Sequence, residues 1–136
     1  MKKAFLSLAL LAFGLVAVSQ PVYQDEVYHK VGTFYYHITS DSTVELSPMQ
    51  DCEVFPRNIT IPANVSINGQ NYIVNRIGDQ AFSGSCASVE SLTLPSTIEE
   101  IGKESFNSFS AQITLPESVR RIETSAFAYI DRKSVV

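Results

Sequence analysis

The sequence predicts a mainly β solenoid of short parallel strands, with an N-terminal β-hairpin cap and little or no helix in the mature chain. Three observations lead to this fold class. An apolar-Thr-apolar-Pro quartet occurs three times, each quartet is followed by an Ile, and a Phe stands five residues after that Ile. The last two copies are 21 residues apart at every one of these positions. A fixed period of this size is typical of coils that stack on one another.

Each quartet is predicted to form one short strand, because its apolar residues alternate with an outward Thr and Pro cannot continue a hydrogen-bonded ladder. Stacked coils would then form a parallel sheet with an exposed Thr ladder and an internal Phe column. The three units are Ile59-Thr60-Ile61-Pro62 with Ile77 and Phe82, Leu92-Thr93-Leu94-Pro95 with Ile101 and Phe106, and Ile113-Thr114-Leu115-Pro116 with Ile122 and Phe127.

A second column supports the same alignment. The residue before each repeat Ile is Arg76, Glu100 or Arg121, so the sign of the charge alternates from coil to coil. Asp79 and Lys103 stand two residues after the first two of these Ile residues and are also of opposite sign. Opposite charges one strand apart favour this register. The functional alternative is a ligand carboxylate held between Arg76 and Arg121.

The first coil carries an insertion. Pro62 and Ile77 are 15 residues apart, whereas the matching residues of the other two coils are six apart. The extra residues lie within 65–74 and contain Asn68-Gly69 between two β-prone runs. Because both residues tolerate a positive φ, this pair predicts a β-hairpin.

The N-terminus is predicted to be a signal peptide covering residues 1–19. Met1-Lys2-Lys3 is basic, and an uncharged apolar run reaches Val18. The small residues before the junction favour cleavage between Ser19 and Gln20. A retained membrane anchor is the alternative. The rest of the sequence has no apolar stretch long enough to form a stable membrane span.

Residues 20–57 are predicted to form an N-terminal segment and cap. The segment from Gln20 to about Lys30 is polar, and we expect it to be mobile. A strand over 33–38, with Phe34, Tyr36 and Ile38 on one face, and a second over 44–46 then form a hairpin. Such a cap would cover the first coil of the stack.

Composition excludes several function classes. Without the signal peptide, eight Lys and Arg stand against fourteen Asp and Glu, a net charge of −6, and the cations are scattered, which argues against nucleic-acid binding. His29 and His37 have no metal-ligand spacing, and no cofactor or catalytic set is indicated. Cys52 and Cys86 either form a disulfide or remain unpaired; a buried small side chain is favoured for Cys86.

The repeat resembles the BspA-type leucine-rich repeat family. The residues that carry the resemblance are Ile77-Gly78 with Ala81-Phe82, Ile101-Gly102 with Ser105-Phe106, and Ile122-Glu123 with Ala126-Phe127. The resemblance implies a leucine-rich-repeat solenoid of about three coils over 58–130, followed by a C-terminal tail, 131–136. It also implies a bacterial secreted or cell-surface protein that recognises host or neighbouring-cell proteins. The residues themselves, which offer no catalytic set, predict that the protein is not an enzyme.

We therefore expect protein recognition or adhesion through the exposed strands and the hairpin. The candidate contact residues are Asn58, Thr60, Ser91, Thr93, Gln112 and Thr114 on the sheet, and Asn68 and Tyr72 on the hairpin. The alternative for each residue is an ordinary solvent-exposed position with no role in binding. A second hypothesis is a structural fragment of a longer array without binding activity of its own, which needs further repeats or self-association to cover an open C-terminal edge.

Overall fold

The computed structural model describes residues 27–48, 55–84, 88–130 and 134–136. The predicted signal peptide with its Ser19–Gln20 junction, Cys52 and Cys86 lie outside these ranges. The described residues form ten strands and no α-helix. The strands are β1 Tyr28–Val31, β2 Phe34–Ile38, β3 Thr43–Leu46, β4 Asn58–Thr60, β5 Asn64–Ile67, β6 Gln70–Ile77, β7 Ser91–Thr93, β8 Glu100–Ile101, β9 Gln112–Thr114 and β10 Arg121–Ile122.

The strands form two sheets, and the predicted β solenoid is confirmed. The three quartet strands make a parallel sheet in the order β4-β7-β9, here called the Thr sheet. The repeat Ile positions lie in a second sheet, the large sheet, with the order β1-β2-β3-β6-β8-β10 and with β5 paired to β6. The inward side chains of both sheets belong to one hydrophobic core. The sequence predicted the first sheet and the register of the second, but not the extent of the second.

Turns stack on turns along a third side of each coil. The amide of Phe82 donates to the carbonyl of Ser105 at 2.7 Å, and the amide of Phe106 donates to the carbonyl of Ala126 at 2.8 Å. The repeated turn geometry includes a residue with positive φ at the same place in each coil. These residues are Gln80, Glu104 and Ser125, at 55°, 53° and 58°. Backbone hydrogen bonds thus join the coils outside the sheets as well.

The predicted aromatic column is confirmed. The rings of Phe82 and Phe106 stack with centroids 5.5 Å apart, and those of Phe106 and Phe127 stack at 5.3 Å. Phe109 tilts against both Phe82 and Phe106, with centroid distances of 5.5 and 5.9 Å. Phe106 is fully buried at the centre of this cluster.

The N-terminal cap joins the first coil as part of the large sheet. Strands β2 and β3 form the predicted antiparallel hairpin, and β3 pairs in parallel with β6. Tyr28–Val31 is a strand paired with β2, which corrects the expectation of a mobile segment as far as Lys30. A tight turn through Gly32, at a φ of 63°, makes this pairing possible. Tyr36 is fully buried, its hydroxyl has no hydrogen-bond partner among the described residues, and burial raises the pKa of this phenol.

Two glycines allow the coils to approach closely in the large sheet. A Cβ atom on Gly78 would lie 2.5 Å from the carbonyl oxygen of Leu46 in the cap. A Cβ atom on Gly102 would lie 2.7 Å from the backbone nitrogen of Asp79 and 2.8 Å from the carbonyl carbon of Gly78. The third coil has Glu123 at the same place. The glycines therefore matter for packing between coils, and neither has a positive φ.

Candidate functional site

Six sheet residues chosen from the sequence lie on one outer surface of the Thr sheet. We call this surface the Thr face and define it as Asn58, Thr60, Ser91, Thr93, Gln112 and Thr114. Their partners across the strands are in register, so the three Thr residues form one row and the other three residues form a second row. Ser91 is half-buried and the other five are exposed. The residues between the rows point inward and are buried, so the backbone beneath the face is anchored in the core.

The Thr face is uncharged and has unused hydrogen-bonding capacity. The Ser91 hydroxyl donates to the Asn58 side-chain oxygen at 2.7 Å. Among the described residues, the hydroxyls of Thr60, Thr93 and Thr114 have no hydrogen-bond partner. Each hydroxyl can donate one hydrogen bond and accept two. The face is therefore a row of hydroxyl groups, about 4.8 Å apart, with donors and acceptors open to solvent.

A charged pair borders this face at one end of the strands. Arg57 and Glu90 precede strands β4 and β7, and their side chains form an ion pair at 2.7 Å. Both side chains are exposed, so the pair contributes little stability. The Arg57–Glu90 pair therefore marks where the uncharged surface ends on this side.

Of the two candidate contact residues on the hairpin, one is exposed and the other is buried. Strands β5 and β6 are antiparallel, and the turn between them is Asn68–Gly69, with Asn68 exposed at a φ of 51°. Tyr72, however, is only 8% exposed and belongs to the core. This corrects its choice as a contact residue, because the inward face of the hairpin includes Tyr72 while the neighbouring Ile73 points outward and is 43% exposed.

An irregularity in β6 determines which hairpin residues face inward. Val74 and Ile77 are both buried although they are three residues apart. The register against β3 shifts between them, with Val44 opposite Val74 and Glu45 opposite Arg76. The extra residue, Asn75, is a β-bulge that reverses the inward and outward alternation. Tyr72 and Val74 therefore face inward on one side of the bulge, and Ile77 faces inward on the other.

Charged side chains form a column across the outer surface of the large sheet. The predicted neighbours Arg76, Glu100 and Arg121 are in register on β6, β8 and β10. The cap adds Glu45 beside Arg76 and His37 beside Glu45, which the sequence did not reveal. We call these five residues the charged column. From Glu45 through Arg76 and Glu100 to Arg121, negative and positive side chains alternate.

Arg76 is the centre of the charged column. Its guanidinium donates to Glu45 in the cap, donates to Asp79 at 2.7 Å and forms an ion pair with Glu100 at 3.5 Å. Burial by itself lowers the pKa of Arg76, but the hydrogen bonds and charges of Asp79 and Glu45 outweigh it and raise that pKa above its usual value. Glu100 lies between Arg76 and Arg121. A carboxylate of this protein thus occupies the place that a ligand carboxylate would need.

Replacing Arg76 with Ala should lower the free energy of unfolding by about 1–3 kcal/mol, a value reduced for partial exposure. The Arg76 side chain is 23% exposed, and its removal leaves three carboxylates from three chain segments beside one another. Urea unfolding followed by circular dichroism measures the change. The matched control is Arg121→Ala, because Arg121 is 65% exposed and pairs with Glu123 within its own strand region. Equal losses in both variants would contradict a central role for Arg76.

Within the described ranges, the chain holds no cluster of three or more metal-ligating His, Cys, Asp or Glu side chains. The same part of the chain contains no helix of the length and hydropathy needed to cross a membrane.

The comparisons with known proteins agree with this geometry. Residues 75–136 match the family described as "BspA type Leucine rich repeat region (6 copies)". This part of the chain is similar to that repeat family. The match covers the second half of the first coil, the two coils that follow and the C-terminal residues, among which Val135 bridges to Ile113. The comparison with curated protein sequences finds no match.

Crystal structures of bacterial leucine-rich repeat proteins share the fold of about three quarters of this chain. A leucine-rich repeat protein from Bacteroides ovatus is 26% identical, with a TM-score of 0.57 over 76% of this chain and 33% of that one. One from Bacteroides capillosus is 23% identical, with a TM-score of 0.56 over 76% of this chain and 98% of that one. The pneumococcal vaccine antigen PcpA is 18% identical, with a TM-score of 0.61 over 77% of this chain and 31% of that one.

Proposed function

We propose that this protein is an exported, non-enzymatic leucine-rich repeat protein that binds another protein through the Thr face. The observation that carries the proposal is the row of three exposed, in-register Thr hydroxyls without partners on a strand backbone fixed by the core. Because the backbone is held in place, such a face orders few groups on binding, which lowers the entropic cost of association.

The contrast between the two outer surfaces supports the choice of the Thr face. On the large sheet, Arg76 is paired with Glu45, Asp79 and Glu100, and Arg121 is paired with Glu123. A partner that bound there would have to displace these pairs. On the Thr face, a partner can pair with the three Thr hydroxyls and the Gln112 amide, which have no hydrogen-bond partner among the described residues. Asn68 extends the candidate surface to the hairpin turn.

We further propose that the protein acts outside the cell or at the surface of a bacterium, in recognition of host or neighbouring-cell proteins. The support is the basic N-terminus followed by a short apolar run and small residues at the junction Ser19–Gln20. The family of the repeat region adds to this support. Mass spectrometry of the protein from culture supernatant and cell envelope would test it: a mature N-terminus at Gln20 is expected, and an intact Met1 in the cytoplasm would contradict it.

Changing Thr93 and Thr114 together to Lys should abolish binding to cells. The test uses fluorescently labelled mature protein added to epithelial cells and to bacterial cells, with flow cytometry as the measurement. The wild-type protein should bind saturably, and protease treatment of the cells should remove the binding. Two adjacent Lys side chains would block the hydroxyl row by size and by charge, so at least about a tenfold loss of affinity is expected.

The matched control is Thr33→Lys with Thr124→Lys, which adds the same charge at exposed positions outside the Thr face. This control should bind as the wild type does, and circular dichroism should show both variants folded. Equal binding by the two double variants would remove the Thr face from the proposal. Saturable binding that survives protease treatment would replace the protein partner with another class. The absence of any cell binding would favour the alternative of a structural segment without binding activity of its own.

A further inference from the structure

The acidic and basic members of the charged column form an evenly spaced row of alternating sign. Glu45, Arg76, Glu100 and Arg121 are direct cross-strand neighbours on β3, β6, β8 and β10. Because neighbouring strands of a sheet lie about 4.8 Å apart, the charges follow one another at that spacing. A second copy of such a row can face the first either with like charges together or with opposite charges together. The orientation of the symmetry axis between the two copies decides which of these occurs.

One orientation of a two-fold axis makes the row complementary to itself. A two-fold axis brings the same surface of both copies together, as in most homodimers. An axis along the row would place Glu45 against Glu45 and Arg76 against Arg76. An axis parallel to the strands reverses the row instead. When this axis lies midway between β6 and β8, Glu45 faces Arg121 of the second copy, and Arg76 faces Glu100 of the second copy.

A second row of charges is complementary about the same axis. Asp79 and Lys103 have equivalent positions in the first two coils, two residues after Ile77 and Ile101. Because the axis exchanges these two coils, it places Asp79 of one copy opposite Lys103 of the other. Both residues are exposed, and the Lys103 ammonium has no ion-pair partner among the described residues. Two independent rows therefore favour one arrangement.

The ion pairs within each copy leave capacity for a second copy. Among the described residues, Glu100 contacts Arg76 through Oε2 at 3.5 Å, and Arg121 contacts Glu123 through Nε at 3.0 Å. A carboxylate has about four acceptor sites and a guanidinium has about five donors. A partner with a different charge pattern would have to displace these pairs, whereas a second copy extends them across the interface.

We propose that two copies of this chain associate through the outer surface of the large sheet, about a two-fold axis parallel to the strands and midway between β6 and β8. Exposed ion pairs are individually weak and are screened by salt, so the dimer is reversible and is favoured at low ionic strength. Each of three pairs occurs twice in the interface: Glu45 with Arg121, Arg76 with Glu100, and Asp79 with Lys103.

The dimer has a consequence for binding at the Thr face. The inward side chains of both sheets share one core, so the Thr face and the charged column point away from each other. A dimer formed through the large sheet therefore keeps both Thr faces on its outside. Two Thr faces on one particle bind a cell surface more tightly than one. This consequence rests on the function proposed above, whereas the dimer itself does not.

Sedimentation velocity of the purified protein over a range of concentrations measures the association. A dimer is expected at about 20 mM NaCl, and its dissociation constant should rise at least about tenfold at about 500 mM NaCl. Arg121→Glu and Lys103→Glu should each weaken the dimer at least about tenfold, because each puts like charges together twice. The matched control is Arg57→Glu, which makes the same change of net charge as Arg121→Glu beside the Thr face and should dimerise as the wild type does. Circular dichroism checks that each variant is folded.

A mixture of two variants tests the axis itself. Arg121→Glu and Glu45→Arg each put like charges together in a dimer of one variant, but a mixed dimer has opposite charges at both places. The mixture should therefore associate at least about tenfold more tightly than either variant alone. Lys103→Glu mixed with Asp79→Lys repeats the test on the second row in case Glu45→Arg does not fold. Folded variants whose mixture associates no better than each alone would exclude this axis.

A protein that stays monomeric at low salt, or a dimer that neither Arg121→Glu nor Lys103→Glu weakens, would overturn the proposal. Equal weakening by Arg57→Glu would also overturn it, because the interface would then lie on the side of the Thr face. The Thr93→Lys, Thr114→Lys double variant should dimerise as the wild type does. Failure of the dimer and failure of binding at the Thr face are therefore separate results.

Discussion

Replacing Phe106 with Ala should lower the free energy of unfolding by about 3–5 kcal/mol. Phe106 is fully buried and its ring stacks between Phe82 and Phe127, with Phe109 against its side. Removal of the ring loses its transfer free energy and leaves a cavity that stacked aromatic neighbours fill poorly. Because each coil contacts only its neighbours, the loss in the middle coil affects both interfaces. Urea unfolding, followed by circular dichroism, measures the change.

Phe127→Ala is the matched control for this prediction. Its ring is partly buried and stacks on Phe106 on one side. The expected loss is about 1–2 kcal/mol, near the lower part of the range for burying a large apolar side chain. If the two variants lost the same free energy of unfolding, the central position of Phe106 would add nothing to its contribution to stability.

Replacing Gly102 with Ala should lower the free energy of unfolding by about 1–3 kcal/mol. The new Cβ atom would lie 2.7 Å from the nitrogen of Asp79 and 2.8 Å from the carbonyl carbon of Gly78. Backbone atoms on the neighbouring coil cannot rotate away as a side chain can, so the two coils would have to separate. The expected signs are a lower urea midpoint and faster amide hydrogen exchange at Gly102 and Asp79.

Glu123→Ala tests whether the effect belongs to the close approach. Glu123 is the counterpart of Gly102 in the third coil and already has a Cβ atom. Its replacement removes an ion pair with the exposed Arg121 and should cost about 0–1 kcal/mol. A Gly102→Ala variant as stable as the wild type would show that the coils yield at this point without cost.

The repeat itself was predictable because each coil meets nearly the same environment as the next. The quartet strands, the row of Thr60, Thr93 and Thr114, and the Phe column all follow from one alignment of three segments. The predicted register survives in the structure for that reason. The burial and strand pairing inferred for a residue in one coil therefore hold for its counterparts in the other two coils.

Features that break the repeat were not predictable in the same way. The bulge at Asn75 reverses which side of the hairpin strand faces the core, and period counting from Ile77 cannot show it. Tyr72, chosen as a contact residue because it belongs to the hairpin, lies on the inward side of this strand and is buried. Strand β1 depends on a partner in β2 and on the turn at Gly32 rather than on a repeat. Glu45 joined the charged column only through the three-dimensional pairing of the cap with the first coil.

The division of each quartet strand between the core and the Thr face has an evolutionary consequence. Ile59, Leu92 and Ile113 are packed in the core, and replacing them with smaller residues would lower the free energy of unfolding. Thr60, Thr93 and Thr114 beside them are exposed, so we expect substitutions there to leave the scaffold almost unchanged. Sequence changes can therefore accumulate at the outward positions, while selection for foldability continues to act on the inward ones.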